Sequence, residues 1–332
     1  MMPLHHESSP EPEQLHREVW TSLPSLPRLS GPTVPTVGRQ FFTHSPSTLL
    51  KLGTDDGEAN MTALAHSILG PCVPRVICLV TIKHPSSNRT QQGLILPRQP
   101  GTPVVELWPS LTPPQRQTIK AELCRLLVRM RTRHFSYYGR PTRQPYVLFS
   151  EFGTETHDYC ASRSEWDDSR VRALQGSAPD AERAVALEKV QRGTTGPGDW
   201  DRPVLSHGDL SDRNILVDPG TLAVTGFLDW EMANIMPAYY EYVAARLSGG
   251  HQPEWRRELL DVLRSVLRCE CGAERGDLHA VDVEEGEERY RRTLAAWDAV
   301  VDVERIAQGY DDDCKWTFET GLPGGSKIGS AL

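Results

Sequence analysis

One stretch near the middle of the chain restricts its fold more than any other: a short apolar hairpin with polar residues at both ends. An apolar run at residues 215–217 is followed by the turn Asp218-Pro219-Gly220 and by a second apolar run at residues 224–228. Two such runs joined by a Pro-Gly turn predict paired antiparallel strands. The loop that enters the first strand and the chain that leaves the second therefore lie at the same edge.

Three polar side chains flank this hairpin. Asp209 lies in the entering loop, Asn214 precedes the first strand, and Asp229 follows the second. Two carboxylates and one amide at one edge suit phosphoryl transfer, which needs an acceptor for the proton of the attacking hydroxyl and hard oxygen ligands for Mg2+. Asp209 suits the first role, and Asn214 and Asp229 suit the second.

The same residues carry a resemblance to a known family. HGDLSDRNILVD (residues 207–218) and GFLDWE (residues 226–231) resemble the catalytic loop and metal-binding turn of aminoglycoside phosphotransferases and choline-kinase-like enzymes, most closely the fungal group of the phosphotransferase enzyme family. The resemblance covers about residues 37–247 and is weaker before the hairpin. It implies ATP and Mg2+ as cofactors and the hydroxyl of a small molecule as acceptor.

The resemblance also implies a bilobal, protein-kinase-like α+β fold. Short apolar runs give way to helical spacing near residue 100, after a stretch rich in proline. We therefore predict a small antiparallel-sheet lobe with its hinge at 31–99 and a mainly helical lobe at 100–317. Residues 1–30, rich in Pro, Ser, Glu and His, predict a disordered arm, and 318–332 predict a flexible tail.

For the nucleotide, the resemblance implies a strand lysine paired with a helix glutamate. Lys51 in STLLKLG and Glu58 in DDGEANMTALAHSIL stand at those places. The alternative is an exposed strand-end lysine and an unrelated glutamate near a helix start. Residues 30–50 contain only Gly31 and Gly38, so the glycine-rich phosphate loop of kinases is missing.

The hinge is expected at Leu96 to Gln99. The resemblance implies that the C=O of Pro97 and the N–H of Gln99 bind adenine, since proline lacks only its own N–H. Leu216 would form the floor of the adenine pocket, and it also suits an ordinary core position.

Two further residues in the loop have two readings each. Arg213 either reaches the transferring phosphate as a fixed cationic fork or is a surface charge paired with Asp212 or Asp218. His207 is either a base or, as the resemblance implies and we favour, a structural residue that holds the loop.

Three functions compete for this pattern. The intact polar set favours a small-molecule O-kinase. The missing glycine loop and Pro97 favour a catalytically weak pseudokinase that serves as a nucleotide-binding or scaffold module. A protein kinase is disfavoured, because Ser211 stands where such an enzyme carries lysine and because Asp229-Trp230-Glu231 replaces its usual Asp-Phe-Gly.

Net charge, hydropathy and cysteine content restrict the classes of partner and the location expected for this protein. A net charge of -8 argues against nucleic acid. No apolar run is long enough to span a bilayer, and seven cysteines without a CxxC pair predict reduced thiols in the cytoplasm. Glu151, Glu155 and Asp158 could attract an amine on the acceptor, although solvated surface carboxylates are favoured. Oligomeric state and the acceptor itself stay open.

Overall fold

The computed structural model describes residues 15–31, 34, 39–83, 89–150, 153–193, 201–247, 253–273 and 280–310. A five-stranded sheet forms a small lobe, and most helices form a larger one. The predicted α+β class is therefore confirmed. Among the described residues no helix combines the length and apolarity needed to cross a membrane.

The small lobe is built on one sheet with the strand order β1-β4-β5-β3-β2. Its strands are β1 (Arg17–Trp20), β2 (Gln40–Ser45), β3 (Thr48–Leu52), β4 (Cys78–Lys83) and β5 (Thr90–Pro97). All neighbours are antiparallel except β1, which runs parallel to β4 and departs from the predicted all-antiparallel sheet. One face buries Leu50, Leu52, Val80, Ile82 and Ile95 in a common cluster.

The predicted disordered arm over residues 1–30 is wrong for its second half. Glu18 in β1 pairs with Val80, and Arg28 forms a bridge with Phe42. Trp20, Leu23 and Leu26 cover the apolar face of the sheet. These three side chains are separated by polar residues, so the overall composition of the segment does not reveal them. They order the segment because they bury apolar surface. Residues 1–14 lie outside the described residues.

Helix α1 (Asp56–Leu69) connects the two lobes. Asp55 caps its first turn by accepting a hydrogen bond from the N–H of Glu58, as the acidic helix start predicts. Met61, Ala65 and Leu69 recur at helical spacing and belong to the core of the larger lobe, whereas Ala59 faces the sheet.

The chain passes from the small lobe to the larger one between residues 98 and 101. β5 ends at Pro97, and β6 (Thr102–Pro103) pairs instead with a strand of the larger lobe. Gly101 has φ +113°, and a Cβ there would lie 2.3 Å from the Thr225 hydroxyl oxygen, so this crossing requires glycine.

The larger lobe is mainly helical. Its helices are α2 (Val104–Leu107), α3 (Pro113–Met130), α4 (Arg163–Ser177), α5 (Ala181–Gly193), α6 (Tyr240–Leu247), α7 (Pro253–Cys271) and α8 (Ala280–Ala307). Arg170 and Glu304 form a fully buried ion pair, 2.7 Å apart, in the core.

Two strand pairs and one three-stranded sheet, which includes β6, complete this lobe and position its loops. β7 (Tyr146–Ser150) pairs with β8 (Gly153–His157), and β9 (Pro203–Ser206) pairs with β12 (Asn234–Pro237). β10 (Ile215–Val217) pairs with β11 (Val224–Phe227) as the predicted hairpin. The predicted tail at 318–332 lies outside the described residues.

Candidate active site

The hairpin brings the predicted polar residues to one edge. Ile215 pairs with Phe227, and the N–H of Leu228 donates to the C=O of Asn214 at 2.8 Å. At the opposite end, Asp218 accepts hydrogen bonds from the N–H groups of Gly220 and Thr221, which closes the turn. The residues on either side of the hairpin, Asn214 and Asp229, therefore face the same space.

Asn214 fixes the carboxylate of Asp209. Its side-chain amide donates to the backbone C=O of Asp209 at 3.1 Å and to Asp209 Oδ2 at 3.0 Å. Since the NH2 group faces Asp209, the amide oxygen of Asn214 is directed elsewhere and is available to a cation. Asp209 is half-buried, at the mouth of the loop.

Asp229 has a backbone conformation that is uncommon for a residue with a side chain. Its φ is +63°, in the left-handed region, and a short 3-10 helix (Trp230–Met232) begins directly after it. Trp230 is buried, and its indole N–H donates to the C=O of Phe227, which holds this turn in place. A strained carboxylate at a cleft is typical of a functional position.

Lys51 lies between a carboxylate of helix α1 and a carboxylate of the turn after β11. Its ammonium is 2.7 Å from Glu58 Oε1 and 2.5 Å from Asp229 Oδ1. Burial lowers the pKa of Lys51, but Glu58, Asp229 and Glu231 outweigh it, so the net pKa lies above its ordinary value. Burial raises the pKa of Glu58 to about 7, against the lowering effect of Lys51. The lysine therefore stays charged across the cleft.

The predicted hinge residues lie at the end of β5. Leu96 pairs with Leu49, and the N–H of Arg98 donates to the C=O of Ser47 at 2.9 Å. Because backbone groups alternate in direction along a strand, the C=O of Pro97 points away from β3.

Gln99 and Leu216 come together below the hinge. A Cβ at Gly226 would lie 3.2 Å from Leu216 Cδ1 and 3.5 Å from Gln99 Cβ, so the three residues are neighbours. Leu216 is 4% exposed. The Gln99 side chain donates to the C=O of Pro71 at 2.9 Å, which fixes the strand exit.

His207 holds the loop rather than the substrate. One ring nitrogen, Nε2, is 2.9 Å from the C=O of Leu228, and the other accepts a hydrogen bond from the N–H of Asp209. The residue is fully buried, and its ring lies against Trp230. This geometry agrees with the structural role favoured from the sequence.

The structure adds Glu241, which sequence reasoning missed. This buried carboxylate accepts hydrogen bonds from the hydroxyl of Ser206 (2.7 Å), the N–H of His207 (2.6 Å) and the N–H of Gly208 (3.2 Å). It therefore fixes the backbone just before Asp209. Its only sequence signal is its place in PAYYEY (residues 237–242), which says nothing about a partner some 34 residues earlier.

Arg39 was also missed. Its Nε is 2.7 Å from Glu231 Oε2, which joins the edge of the sheet to the turn after Asp229. On the same turn, Arg140 donates to the C=O groups of Glu231 and Ala233 from below. Arg39 thus places a cation on the roof of the cleft, close to where a glycine loop was sought.

The remaining predicted residues lie outside this cluster. Arg213 is exposed and makes no ion pair within the described part of the chain. No contact therefore supports either of the two roles predicted for it. Glu155 and Asp158 are exposed on and beside β8, as solvated carboxylates. Glu151 is outside the described residues.

A protein-family model matches a large part of the chain. Residues 56–269 match the model of the Phosphotransferase enzyme family (APH). This match covers more than half of the chain and includes Glu58 and the whole hairpin. The protein therefore belongs to the Phosphotransferase enzyme family.

Curated relatives match only a short segment. A subtelomeric hrmA-associated cluster protein of Aspergillus fumigatus, found in two strains, is 42% identical over 45 residues. The aligned segment is 14% of this chain and 9% of that protein.

Solved structures resemble the chain along most of its length at low identity. The streptomycin–ATP ternary complex of APH(2'')-IIa has 12% identity and a TM-score of 0.45, covering 86% of both chains. A ternary complex of a thermostable APH(4)-Ia mutant with AMP-PNP and hygromycin B has 14% identity and a TM-score of 0.44, covering 85% of this chain and 95% of that one. A putative aminoglycoside phosphotransferase of Ralstonia eutropha has 14% identity and a TM-score of 0.45, covering 83% and 92%.

Proposed function

We propose that this protein is an ATP-dependent kinase that transfers the γ-phosphoryl group to a hydroxyl of a small molecule. The observation that carries the proposal is the meeting of Lys51, paired with Glu58, and Asp229 across the cleft. The same edge of the hairpin holds Asn214, which is bonded to Asp209. A phosphate-binding cation, a metal-ligand pair and a proton acceptor thus share one site.

Asp209 is the proposed proton acceptor. Its carboxylate orients the acceptor hydroxyl and takes its proton as the hydroxyl oxygen bonds to the γ-phosphorus. The bond between that phosphorus and the β–γ bridging oxygen breaks at the same time, and ADP leaves with the electron pair. Asn214 keeps the Asp209 carboxylate in one orientation throughout.

The donor set fits Mg2+. Asn214 offers its amide oxygen, and Asp229 offers carboxylate oxygens, the hard ligands that this ion prefers. When bound, Mg2+ would neutralise charge that develops on the phosphates. Lys51 contacts Asp229 directly and would bind the α- and β-phosphates, with Glu58 holding it in place.

We propose that adenine binds at the hinge, between Pro97, Gln99, Leu96 and Leu216. The C=O of Pro97 points away from β3, and Leu216 lies beneath Gln99, which supports this placement. We also propose a cytoplasmic location, since the sequence has seven cysteines, an odd number, and no CxxC pair.

The test is stabilisation by nucleotide. Thermal unfolding and calorimetric titration are measured with ATP, with and without Mg2+, on the wild type and Asp229→Ala. Binding to the native state adds about 2.7 kcal/mol at a ligand concentration one hundred times Kd. We expect Mg2+-dependent stabilisation of the wild type and its loss in Asp229→Ala.

A matched control removes a carboxylate from the surface. Asp261→Ala, on the exposed side of α7, is expected to bind Mg-ATP as the wild type does. If the wild type binds no nucleotide with or without Mg2+, the kinase proposal is wrong. A pseudokinase that serves as a nucleotide-binding module is then excluded as well. Nucleotide binding without phosphoryl transfer to any hydroxyl would instead favour the pseudokinase.

A further inference from the structure

A buried arginine lies beneath the turn after Asp229 and has no role in the function proposed above. Arg140 is 3% exposed. Its Nε donates to the C=O of Ala233 and to Oδ1 of Asn234, both at 3.1 Å, and its Nη2 donates to the C=O of Glu231. The guanidinium therefore holds the backbone that leaves Asp229 at three points.

The same guanidinium lies against the first turn of α1. A Cβ at Gly57 would lie 2.3 Å from Nη1 of Arg140 and 3.0 Å from its Cδ, so this close approach requires glycine. Nη1 is also 3.6 Å from Oδ1 of Asp55, the residue that caps the helix. Since Gly57 directly precedes Glu58, one side chain contacts both the helix of Glu58 and the turn of Asp229.

The loop that carries Arg140 is itself anchored to both elements. The N–H of Gly139 donates to the C=O of Ile235 at 2.9 Å, and the N–H of Ile235 donates back at 2.8 Å. The N–H of Arg140 donates to the C=O of Gln144, whose side chain accepts a hydrogen bond from Asn60 of α1 at 3.1 Å. The guanidinium is therefore presented from a fixed backbone.

The donors of Arg140 are used differently from those of two other buried arginines. Arg131 binds both carboxylate oxygens of Glu270, and Arg170 does the same with Glu304. Within the described residues, the hydrogen bonds of Arg140 go instead to two backbone C=O groups and one amide oxygen. Burial lowers the pKa of Arg140 and nearby carboxylates oppose this, so the guanidinium stays charged. Its donors therefore orient a backbone turn.

We propose that Arg140 is a positioning residue that fixes the Asp229 carboxylate relative to the helix of Glu58 and thereby sets the affinity of the cleft for Mg-ATP. This inference rests on the proposed kinase function, because it concerns the metal ligand of the same site. Arg140 acts through the backbone of the turn and not through contact with the nucleotide. Groups that orient a metal ligand in this way typically change metal affinity or activity by about 10- to 100-fold.

The first experiment compares two substitutions of Arg140. Calorimetric titration of the full chain with Mg-ATP and with adenosine is combined with urea denaturation of the same samples. Arg140→Gln should weaken Mg-ATP binding about tenfold or more and leave adenosine binding unchanged, since adenosine has no phosphates to carry the ion. Arg140→Lys should lie between this variant and the wild type, because it keeps the charge but not the fixed fork of donors.

Arg131→Gln is the matched control for a purely structural role. Arg131 is also a buried arginine of the larger lobe, and it binds Glu270 through two hydrogen bonds of 2.9 Å. Its substitution should lower the urea midpoint and leave Mg-ATP affinity at the wild-type value. If Arg140→Gln likewise loses stability without losing Mg-ATP affinity, the positioning role is wrong.

Gly57→Ala tests the same contact from the other side and leaves Arg140 in the chain. The added methyl group occupies the place of the guanidinium, so it should displace Arg140 and weaken Mg-ATP binding in the wild type. In the Arg140→Gln background it should add little, because the two changes break one contact. Additive losses would contradict the proposal. This variant also gives the answer if Arg140→Gln fails to fold.

Hydrogen exchange of the protein without nucleotide or metal separates this inference from the proposed function. The amides of residues 230–234 should exchange faster in Arg140→Gln and Gly57→Ala than in Arg131→Gln. If the wild type binds no Mg-ATP but this difference is found, Arg140 does fix the turn and the kinase proposal is wrong. If the wild type binds Mg-ATP and Arg140→Gln binds it equally well, the kinase stands and the positioning role is wrong.

Discussion

The two walls of the cleft are built in opposite ways. The floor, residues 206–231, is held by bonds between near neighbours, such as the bond from Asn214 to Asp209 across five residues. The roof, residues 39–52, reaches the floor through charged side chains. Lys51 meets Asp229 across 178 residues of sequence, and Arg39 meets Glu231 across 192.

Because of this difference, the two walls depend on different contacts for their geometry. The geometry of the floor is fixed inside one lobe, because backbone hydrogen bonds and buried carboxylates hold it. The geometry of the roof exists only while the two lobes are in contact. Damage to the floor should therefore affect chemistry and folding, and damage to the roof should affect nucleotide affinity.

The largest effect is expected on the floor, at Asp209. Asp209→Ala removes the proton acceptor and should lower kcat by about 10²–10⁴-fold, the usual contribution of a positioned base. Mg-ATP affinity should be nearly unchanged, because the roof and the metal ligands remain. Steady-state kinetics and calorimetry check both. Normal turnover in this variant would show that the base was assigned to the wrong residue.

The second largest effect is a loss of folding stability when the carboxylate that holds the floor is changed. Glu241→Gln turns an NH2 group toward donors at Ser206, His207 and Gly208, and should lower the free energy of unfolding by about 2–4 kcal/mol. Urea denaturation measures it. Glu285→Gln, exposed on α8, is the matched control and should stay within about 0.5 kcal/mol of the wild type.

The third effect is on the roof. Arg39→Gln removes a cation that lies beside Glu231 and Asp229 in the cleft and should weaken ATP binding by about three- to tenfold, as expected for a partly exposed charge. Adenosine, which lacks phosphates, should bind unchanged. Lys83→Gln, exposed at the end of β4 in the same sheet, serves as control. Unchanged or tighter ATP binding would mean that Arg39 serves only to bind Glu231.

The smallest expected effect is a pH dependence of folding stability, and it arises within the larger lobe. Burial lowers the pKa of His157 in the folded protein from 6.5 to about 4. Between these two values the unfolded chain binds a proton that the folded chain refuses, so stability falls as the pH falls. Solvent screening leaves a loss of about 1 kcal/mol.

His157→Phe checks this titration. The phenyl ring keeps the stacking on Tyr146 but cannot titrate, so the slope of stability against pH should flatten between about pH 6.5 and 4. Stabilisation by Mg-ATP at neutral pH should not change, because the roof is untouched. A slope equal to that of the wild type would assign the acid sensitivity to another group.

The floor could be predicted from the sequence because its contacts are local. A turn at 218–220 and two apolar runs place Asn214 and Asp229 at one edge with no knowledge of the rest of the chain. Glu241 escaped prediction, since a buried carboxylate that accepts from backbone N–H groups has no pattern at its own position. The role of Arg39 depends on a partner in the other lobe, which no local signal reveals.

The small lobe shows the same limit. Composition predicted a disordered arm through residue 30, but β1 is ordered by its pairing with β4 and by three apolar side chains spaced along the segment. The two-lobe α+β class was predictable, because the shift from short runs to helical spacing is spread over many residues.

The position of α1 has a mechanical consequence. Most of its apolar side chains lie in the core of the larger lobe, and Arg140 of that lobe packs under its first turn at Gly57. Glu58 therefore stays with the larger lobe when the sheet tilts, whereas Lys51 moves with the sheet. A tilt of the sheet would separate Lys51 from both Glu58 and Asp229. We therefore expect these two ion pairs to keep the cleft closed in the resting protein. The release of ADP should then require that both ion pairs break.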